Sequence, residues 1–185
     1  MTHSSPSIAQ LSVLLHNGAL DPVTLAEEVF DAIDAHGDGA IFISRTRERA
    51  MAEAAASGKR IREGRSRGLL EGIPIGWKDL FDMAGETTAA GSKLLMRDNP
   101  VAEKDAAVVA ALAAAGMVSV GRLNMSEFAF SGIGINPNFG TPANPRSTDV
   151  PRIPGGSSSG SGVAVAAGIV PVAMGTDTGG SVRIP

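Results

Sequence analysis

The chain has 185 residues, 43% of them hydrophobic and 19% charged, a composition that excludes overall disorder and suits one compact domain with a core of its own. Its 16 basic and 19 acidic residues leave a formal charge of -3, which gives no electrostatic case for a nucleic acid or an anionic membrane as partner. Cysteine is absent, so disulfides, thiolate metal sites and a cysteine nucleophile are excluded, and a reducing compartment, the cytoplasm, is the expected location.

The opening segment, MTHSSPSIAQLSVLLHNG, lacks the basic start and the apolar length of a signal peptide. Ser7 to His16 and Asp21 to Ala35 read as amphipathic helices, the second with Asp21 as N-cap and Pro22 in the first helical position. AIFIS, Ala40 to Ser44, predicts a short apolar strand. Arg45 to about Arg62 is rich in alanine, glutamate, arginine and lysine, weakened only by Gly58, and predicts a third helix. The basic run Lys59 to Arg67 falls at the end of that helix and reads as a solvated terminus rather than an RNA contact. GIPIGWKD, Gly72 to Asp79, is strand-like but carries Pro74, which suits a strand end or an edge better than the centre of a regular ladder.

Glu103 to Ala115 predicts an alanine- and valine-rich helix closed by Gly116 and followed at once by the strand Met117 to Gly121. So apolar a helix is expected to be covered. Ser131 to about Pro154 is a long loop dense in Pro, Asn and Gly, a length that in compact domains marks function or disorder. Gly160 to Gly168 resembles a small-residue helix, PVAMGTD a buried strand, and TGGS a tight turn. The longest apolar stretches, Ala106 to Val120 and Val163 to Met174, are shorter than the roughly 20 residues that span a bilayer. Alternating helices and apolar strands predict an α/β architecture with helices on both faces of the sheet.

The Gly/Ser stretch RIPGGSSSGSGVAV, Arg152 to Val165, has the composition of a linker but runs straight into apolar residues. A Walker loop would need Lys-Ser or Lys-Thr after its last glycine, and a dinucleotide fingerprint would need a preceding strand. NPRSTDVPRIP, with three prolines, supplies neither. The pattern GxSxG from Gly156 to Gly160 centres on Ser158, yet a nucleophile elbow also needs a strand before it and a later histidine. All three histidines, His3, His16 and His36, lie in the first 36 residues. A serine nucleophile here therefore needs another base, such as a lysine.

Of Lys59, Lys78, Lys93 and Lys104, only Lys78 lies on a strand-like apolar segment, where burial can lower the usual lysine pKa of about 10.4. The alternative is a structural lysine paired with Asp79 or another carboxylate. Two serine sites stand out, Ser157 to Ser161 and Ser181 in GTDTGGSVRIP. The glycine turn before Ser181 can aim consecutive backbone N–H groups at one spot, as an oxyanion hole requires. An ordinary strand-to-helix turn uses the same residues.

Taken together, GIPIGWKDLFD, PGGSSSGSGVAVAAGIVPVAMGTDTGGSVRIP, GRLNMSEFAF and TPANP resemble the amidase signature family from about Leu69 to Pro185. The resemblance implies an amidase-signature-type mixed sheet flanked by helices. It implies Ser181 as nucleophile, Ser157 as a bridging serine after a cis peptide from Gly156, and Lys78 as base. The N–H groups around Thr178, Gly179, Gly180 and Ser181 would form the oxyanion hole, with Asp177 and Arg183 holding the turn. It further implies hydrolysis of a small-molecule amide without a metal or organic cofactor. Ser158, Ser159 and Ser161 are then expected to satisfy backbone groups and start the following helix.

The chain stops four residues beyond Ser181, after a strand with nothing to cover it. This leads to the expectation that residues 1–185 are the N-terminal part of a single amidase domain, incomplete in this chain, inactive alone and prone to pair as a homo-oligomer through open strand edges. Two other functions stay open. One is the A-subunit-like, glutamine-dependent amidotransferase branch of the family, which uses glutamine-derived ammonia on aminoacyl-tRNA and would bring nucleic acid back as a partner. The other is a non-catalytic interaction module. Met125, Phe128 and Phe130 are expected to pack a core rather than line a pocket.

Overall fold

A computed structural model describes residues 6–185; His3 and the start of the opening segment lie outside the described residues. Helix α1 (Ile8–His16) opens on a reciprocal capping box between Ser7 and Gln10. Helix α2 (Pro22–His36) opens on Asp21, whose carboxylate accepts the Val23 N–H at 2.8 Å, and closes on Gly37 at φ 76°. Strand β1 (Phe42–Arg45) leads into α3 (Arg47–Arg62), whose buried residues Ala50, Ala54, Ser57 and Gly58 form one small-residue stripe. The basic run at the end of α3 is largely paired. Arg60 binds Glu71, Arg62 binds Asp21, Arg65 binds Glu63, and Arg67 donates to the Ala113 carbonyl.

Strand β2 (Pro74–Lys78) is followed by a short helix, α4 (Lys93–Asp98), which has no buried face and which no sequence pattern announces. Helix α5 (Ala107–Ala114) begins four residues later than Glu103. Asp105 is taken up by the Arg49 guanidinium at 2.7 and 2.8 Å and by the Ala84 N–H, which holds residues 103–106 out of the helix. Only Val109 of α5 is fully buried, so the expected cover is partial. Its alanines present too little apolar area to require more. Strand β3 (Val118–Leu123), the expected long loop, α6 (Ser159–Ala166) and the two-residue strand β4 (Ala173–Met174) complete the fold.

The sheet order is β1-β3-β2-β4, mixed, with β1 antiparallel to β3 and β2 parallel to both β3 and β4. Pro74 does begin a strand, where its missing N–H interrupts no ladder. That strand is not an edge, however, but lies inside the sheet. Its ladder with β3 shifts register between Ile75 and Gly76, where a side chain on Gly76 would lie 2.6 Å from Leu123.

Alternation along the strands feeds two cores. Ile73, Ile75 and Trp77 pack with Leu11 and Leu15 of α1 and Val109 of α5. Val118, Val120 and Leu123 pack with Val29 and Phe30 of α2, Ala50 and Ala54 of α3, and Val163 of α6. Helices therefore cover both faces, and the C-terminal ends of the parallel strands β2 and β4 lie side by side. In open α/β sheets that end is where ligand crevices form.

Candidate active site

Lys78 is the last residue of β2 and is completely buried. Its ammonium nitrogen donates to Ser157 Oγ at 2.7 Å and to Thr176 Oγ1 at 2.8 Å. Thr176 lies two residues beyond β4, and Ser157 lies just before α6, so three segments converge on one nitrogen. Burial pushes the Lys78 pKa down to about 8, against the opposing negative charge of Asp177.

The alternative of a Lys78–Asp79 pair is not what forms. Alternation turns the two side chains apart, and Asp79 binds Arg122 at 2.7 Å, both buried. Asp79 also accepts the Gly91 N–H at 2.9 Å, and Arg122 donates to the Phe81 carbonyl at 3.0 Å. Arg122→Leu leaves the Asp79 charge buried without its partner, and we expect it to cost about 3–5 kcal/mol of folding stability in urea unfolding.

The Gly/Ser stretch is a fixed loop. The Gly156–Ser157 peptide is cis, as the resemblance implied. Gly156 N–H donates to the Gly132 carbonyl at 2.8 Å, and the Ser157 carbonyl accepts the Ser126 N–H at 3.0 Å. Gly156 passes so close to its neighbours that a Cβ there would lie 2.7 Å from Gly134 N and 2.8 Å from Ser126 Oγ. Ser158, Ser159 and Ser161 all turn their hydroxyls to backbone carbonyls, those of Thr176, Asn124 and Met174. Ser158 precedes α6 as its N-cap residue, although its side chain does not cap the helix.

Ser181 is half-buried, and its carbonyl accepts the Ser158 N–H at 3.2 Å. Among the described residues no hydrogen bond joins the Ser181 hydroxyl to Ser157. Of the expected chain of three, only the Lys78–Ser157 link is made in this structure. Asp177 accepts the N–H groups of Gly180 at 2.8 Å and Val182 at 3.0 Å, and the Arg183 guanidinium at 3.0 and 3.1 Å. Arg183 and these backbone donors hold the Asp177 carboxyl well below the usual carboxylate range. Gly180 N–H therefore points at Asp177 and not into the cleft. The N–H groups of Thr178, Gly179 and Ser181 have no protein acceptor among the described residues.

Beside Ser181 lies a cleft of about 240 Å³, lined also by Phe130, Thr178, Gly179 and Ile184. The expectation that Met125, Phe128 and Phe130 pack a core holds only for Met125, which is buried. Phe128 is exposed and Phe130 is 95% exposed, because Phe128 and Ala129 take left-handed φ values of 54° and 57° and turn the chain outward.

Several supports were not foreseen. Thr176 is the second acceptor for Lys78, and its position two residues past an apolar strand in the GTDTGGS turn was the available signal. Asn136, fully buried, ties the long loop down by donating to the Gly91 and Met125 carbonyls at 2.9 and 2.7 Å. Asn124 donates to the Ala40 and Gly140 carbonyls at 2.8 and 2.9 Å. Nothing in the local sequence distinguishes these asparagines from solvated ones in a polar loop.

Three relatives give this geometry a context. The chain is 44% identical to the A-type subunit of glutamyl-tRNA(Gln) amidotransferase from Ralstonia nicotianae, over 98% of this chain and 36% of that protein. It is 48% identical to the AtzE subunit of 1-carboxybiuret hydrolase from a Pseudomonas species, over 87% of this chain and 35% of that one. Its fold matches the peptide amidase of Stenotrophomonas maltophilia with a TM-score of 0.84 and 38% identity, covering 97% of this chain and 38% of that chain. The chain thus spans little more than a third of the length of these relatives. With the family model for amidases matching residues 24–185, and with the mixed sheet of amidase signature enzymes around a Lys-Ser pair, the chain belongs to the amidase family.

Proposed function

We propose that this chain carries the catalytic residues of an amidase that hydrolyses a carboxylic amide through an acyl-enzyme on Ser181. The observation that supports this most is Lys78 itself, fully buried, paired with no carboxylate among the described residues, and donating to Ser157 Oγ at 2.7 Å. A lysine held this way is a base once neutral.

Neutral Lys78 takes the Ser157 proton as Ser157 takes that of Ser181, and Ser181 Oγ forms a bond to the amide carbonyl carbon. Catalytic hydrogen bonds commonly tighten only when substrate is bound, so a turn of the Ser157 and Ser181 hydroxyls toward each other belongs to this step. The N–H groups of Thr178, Gly179 and Ser181 are the donors available for the developing oxyanion, while that of Gly180 braces Asp177. Collapse breaks the C–N bond, and the proton held by Lys78 returns through Ser157 to the leaving amine. Water then attacks the ester by the same route, giving the acid and restoring Ser181.

Because the neutral form of Lys78 is the active one, kcat/KM is expected to fall tenfold per pH unit below about 8 and to level off above it. A profile flat from pH 6 to 9, with chemistry rate-limiting, would remove Lys78 from the role of base. We place the protein in the cytoplasm, in keeping with its lack of cysteine; among the described residues no helix is long and apolar enough to cross a membrane.

The second reading is a component of a glutamine-dependent amidotransferase, favoured by the 44% identity to a protein of that kind. It uses the same acyl chemistry on glutamine, with the ammonia passed on to aminoacyl-tRNA. Glutamine hydrolysis that appears only with partner subunits and charged tRNA would select it over the free amidase.

A further inference from the structure

We infer that Arg122 is a positioning residue for the proton relay: by binding Asp79 it cancels a carboxylate charge that would otherwise act on Lys78 from the next residue of the chain. This rests on Lys78 being the base. Among the described residues Arg122 and Asp79 form the one ion pair whose two side chains are both fully buried. Such a pair adds little stability over well-packed apolar side chains of similar volume. Folding alone is therefore a poor reason for a carboxylate beside the relay lysine and a guanidinium on the strand next to it.

Asp79 has a task of its own in the loop after β2. Its carboxylate accepts the Gly91 N–H and its carbonyl the Ala90 N–H, each at 2.9 Å, closing a turn in which Ala90 and Gly91 take left-handed φ values of 51° and 70°. That turn anchors the segment whose Ser126 N–H holds the Ser157 carbonyl: the Ala90 carbonyl accepts the Phe128 N–H, and the Gly91 carbonyl accepts the Asn136 side chain, each at 2.9 Å. The carboxylate cannot swing out to water, because the Asp79 N–H is itself held by the Leu123 carbonyl at 3.1 Å. Arg122 is fixed as firmly, its guanidinium donating to Asp79 at 2.7 Å, to the Phe81 carbonyl at 3.0 Å and to Thr88 Oγ1 at 3.3 Å.

The other charged groups on the segments around Lys78 are Asp82 after β2, which accepts the Thr88 hydroxyl at 2.7 Å, Glu127 after β3, and Asp177 with its partner Arg183 after β4. Helix α6 and residues 153–158 before it carry no charge. Asp177 already favours the charged lysine, and an uncancelled Asp79 would add to it. Two unit charges about 10 Å apart, at an effective dielectric constant of about 20, shift a titration by about one pH unit. Arg122 thus lets the chain keep the carboxylate that builds the turn without charging the base.

The test is the rate at which a fluorophosphonate labels Ser181 in the full gene product, followed from pH 6 to 10. The wild-type rate should rise with a midpoint near 8. Arg122→Gln leaves the Asp79 charge uncancelled, so the midpoint should move up by about one unit and labelling at pH 7 should slow about tenfold. Asp79→Asn leaves the Arg122 charge uncancelled, and the midpoint should move down by about one unit. Arg122→Lys, which keeps the charge, and the double variant Asp79→Asn with Arg122→Gln, which removes both, should stay near the wild-type midpoint. A merely structural pair would lower stability or the plateau rate without moving the midpoint in opposite directions. Where Arg122→Gln does not fold, Asp79→Asn reads the same charge with the opposite sign. Midpoints unmoved in the folded single variants, or moved the same way in both, overturn the inference while leaving Lys78 as base. A wild-type rate that does not change with pH overturns the reading of Lys78 beneath it instead.

Discussion

Ser181→Ala is expected to reduce amide hydrolysis to the uncatalysed level, a loss of at least about 10,000-fold in kcat. The size of the effect follows from covalent catalysis. Without the Ser181 oxygen no acyl-enzyme forms, and the Lys78–Ser157 pair has no nucleophile to deprotonate. The substitution isolates chemistry from folding, since the Ser181 hydroxyl makes no hydrogen bond among the described residues and its contribution to the turn is its backbone carbonyl. Urea unfolding of the variant should therefore match that of the wild type, while stopped assays find no turnover. Retained hydrolysis in a folded Ser181→Ala protein would move the nucleophile elsewhere in the chain.

The second large effect is Lys78→Met, with kcat/KM expected to fall by about 100- to 10,000-fold. Methionine keeps most of the volume of the lysine stem and removes the nitrogen. Ser157 Oγ and Thr176 Oγ1, which accept from that nitrogen at 2.7 and 2.8 Å, then lose that donor, at about 1–3 kcal/mol of folding stability for each hydroxyl left unsatisfied. Relief of the burial cost of the lysine nitrogen offsets part of that loss, so the variant is assayed where urea unfolding shows it folded. The remaining activity should also lose its rise toward pH 8, because among the described residues no other titratable group hydrogen-bonds the Ser157 hydroxyl. A variant with full activity and the same pH profile would refute the proton relay.

The parts of this fold legible in the sequence are those fixed by local chemistry. Asp21 before Pro22 and Ser7 before Gln10 mark helix starts because the capping bonds span two or three residues. Lys78 could be singled out because it is the one lysine on an apolar strand. What escaped depends on contacts distant in sequence. The late start of α5 is set by Arg49 reaching Asp105, 56 residues away, and the place of β2 inside the sheet by strands that come later.

The site divides in the same way. The motif pointed to Ser157, Ser181 and the glycine turn, but Thr176 as second acceptor for Lys78 depends on β4 lying beside β2. That Gly180 N–H serves Asp177 rather than the cleft depends on which way one peptide faces, which residue types do not encode. Phe128 and Phe130 misled because hydrophobicity alone argues for burial, whereas two left-handed residues carry them outward. Arg122 was invisible as a buried ion-pair partner for Asp79 because their strands meet only in the folded sheet.

Fluorophosphonate labelling of the full gene product, with the adduct located by peptide mass spectrometry and its rate followed with pH, tests the Lys78–Ser157–Ser181 account most directly. The account predicts one adduct, on Ser181, forming faster as the pH rises toward 8 and at least about 100-fold more slowly in Lys78→Met. An adduct on Ser157 or Ser158, or a labelling rate unchanged by Lys78→Met, would contradict it.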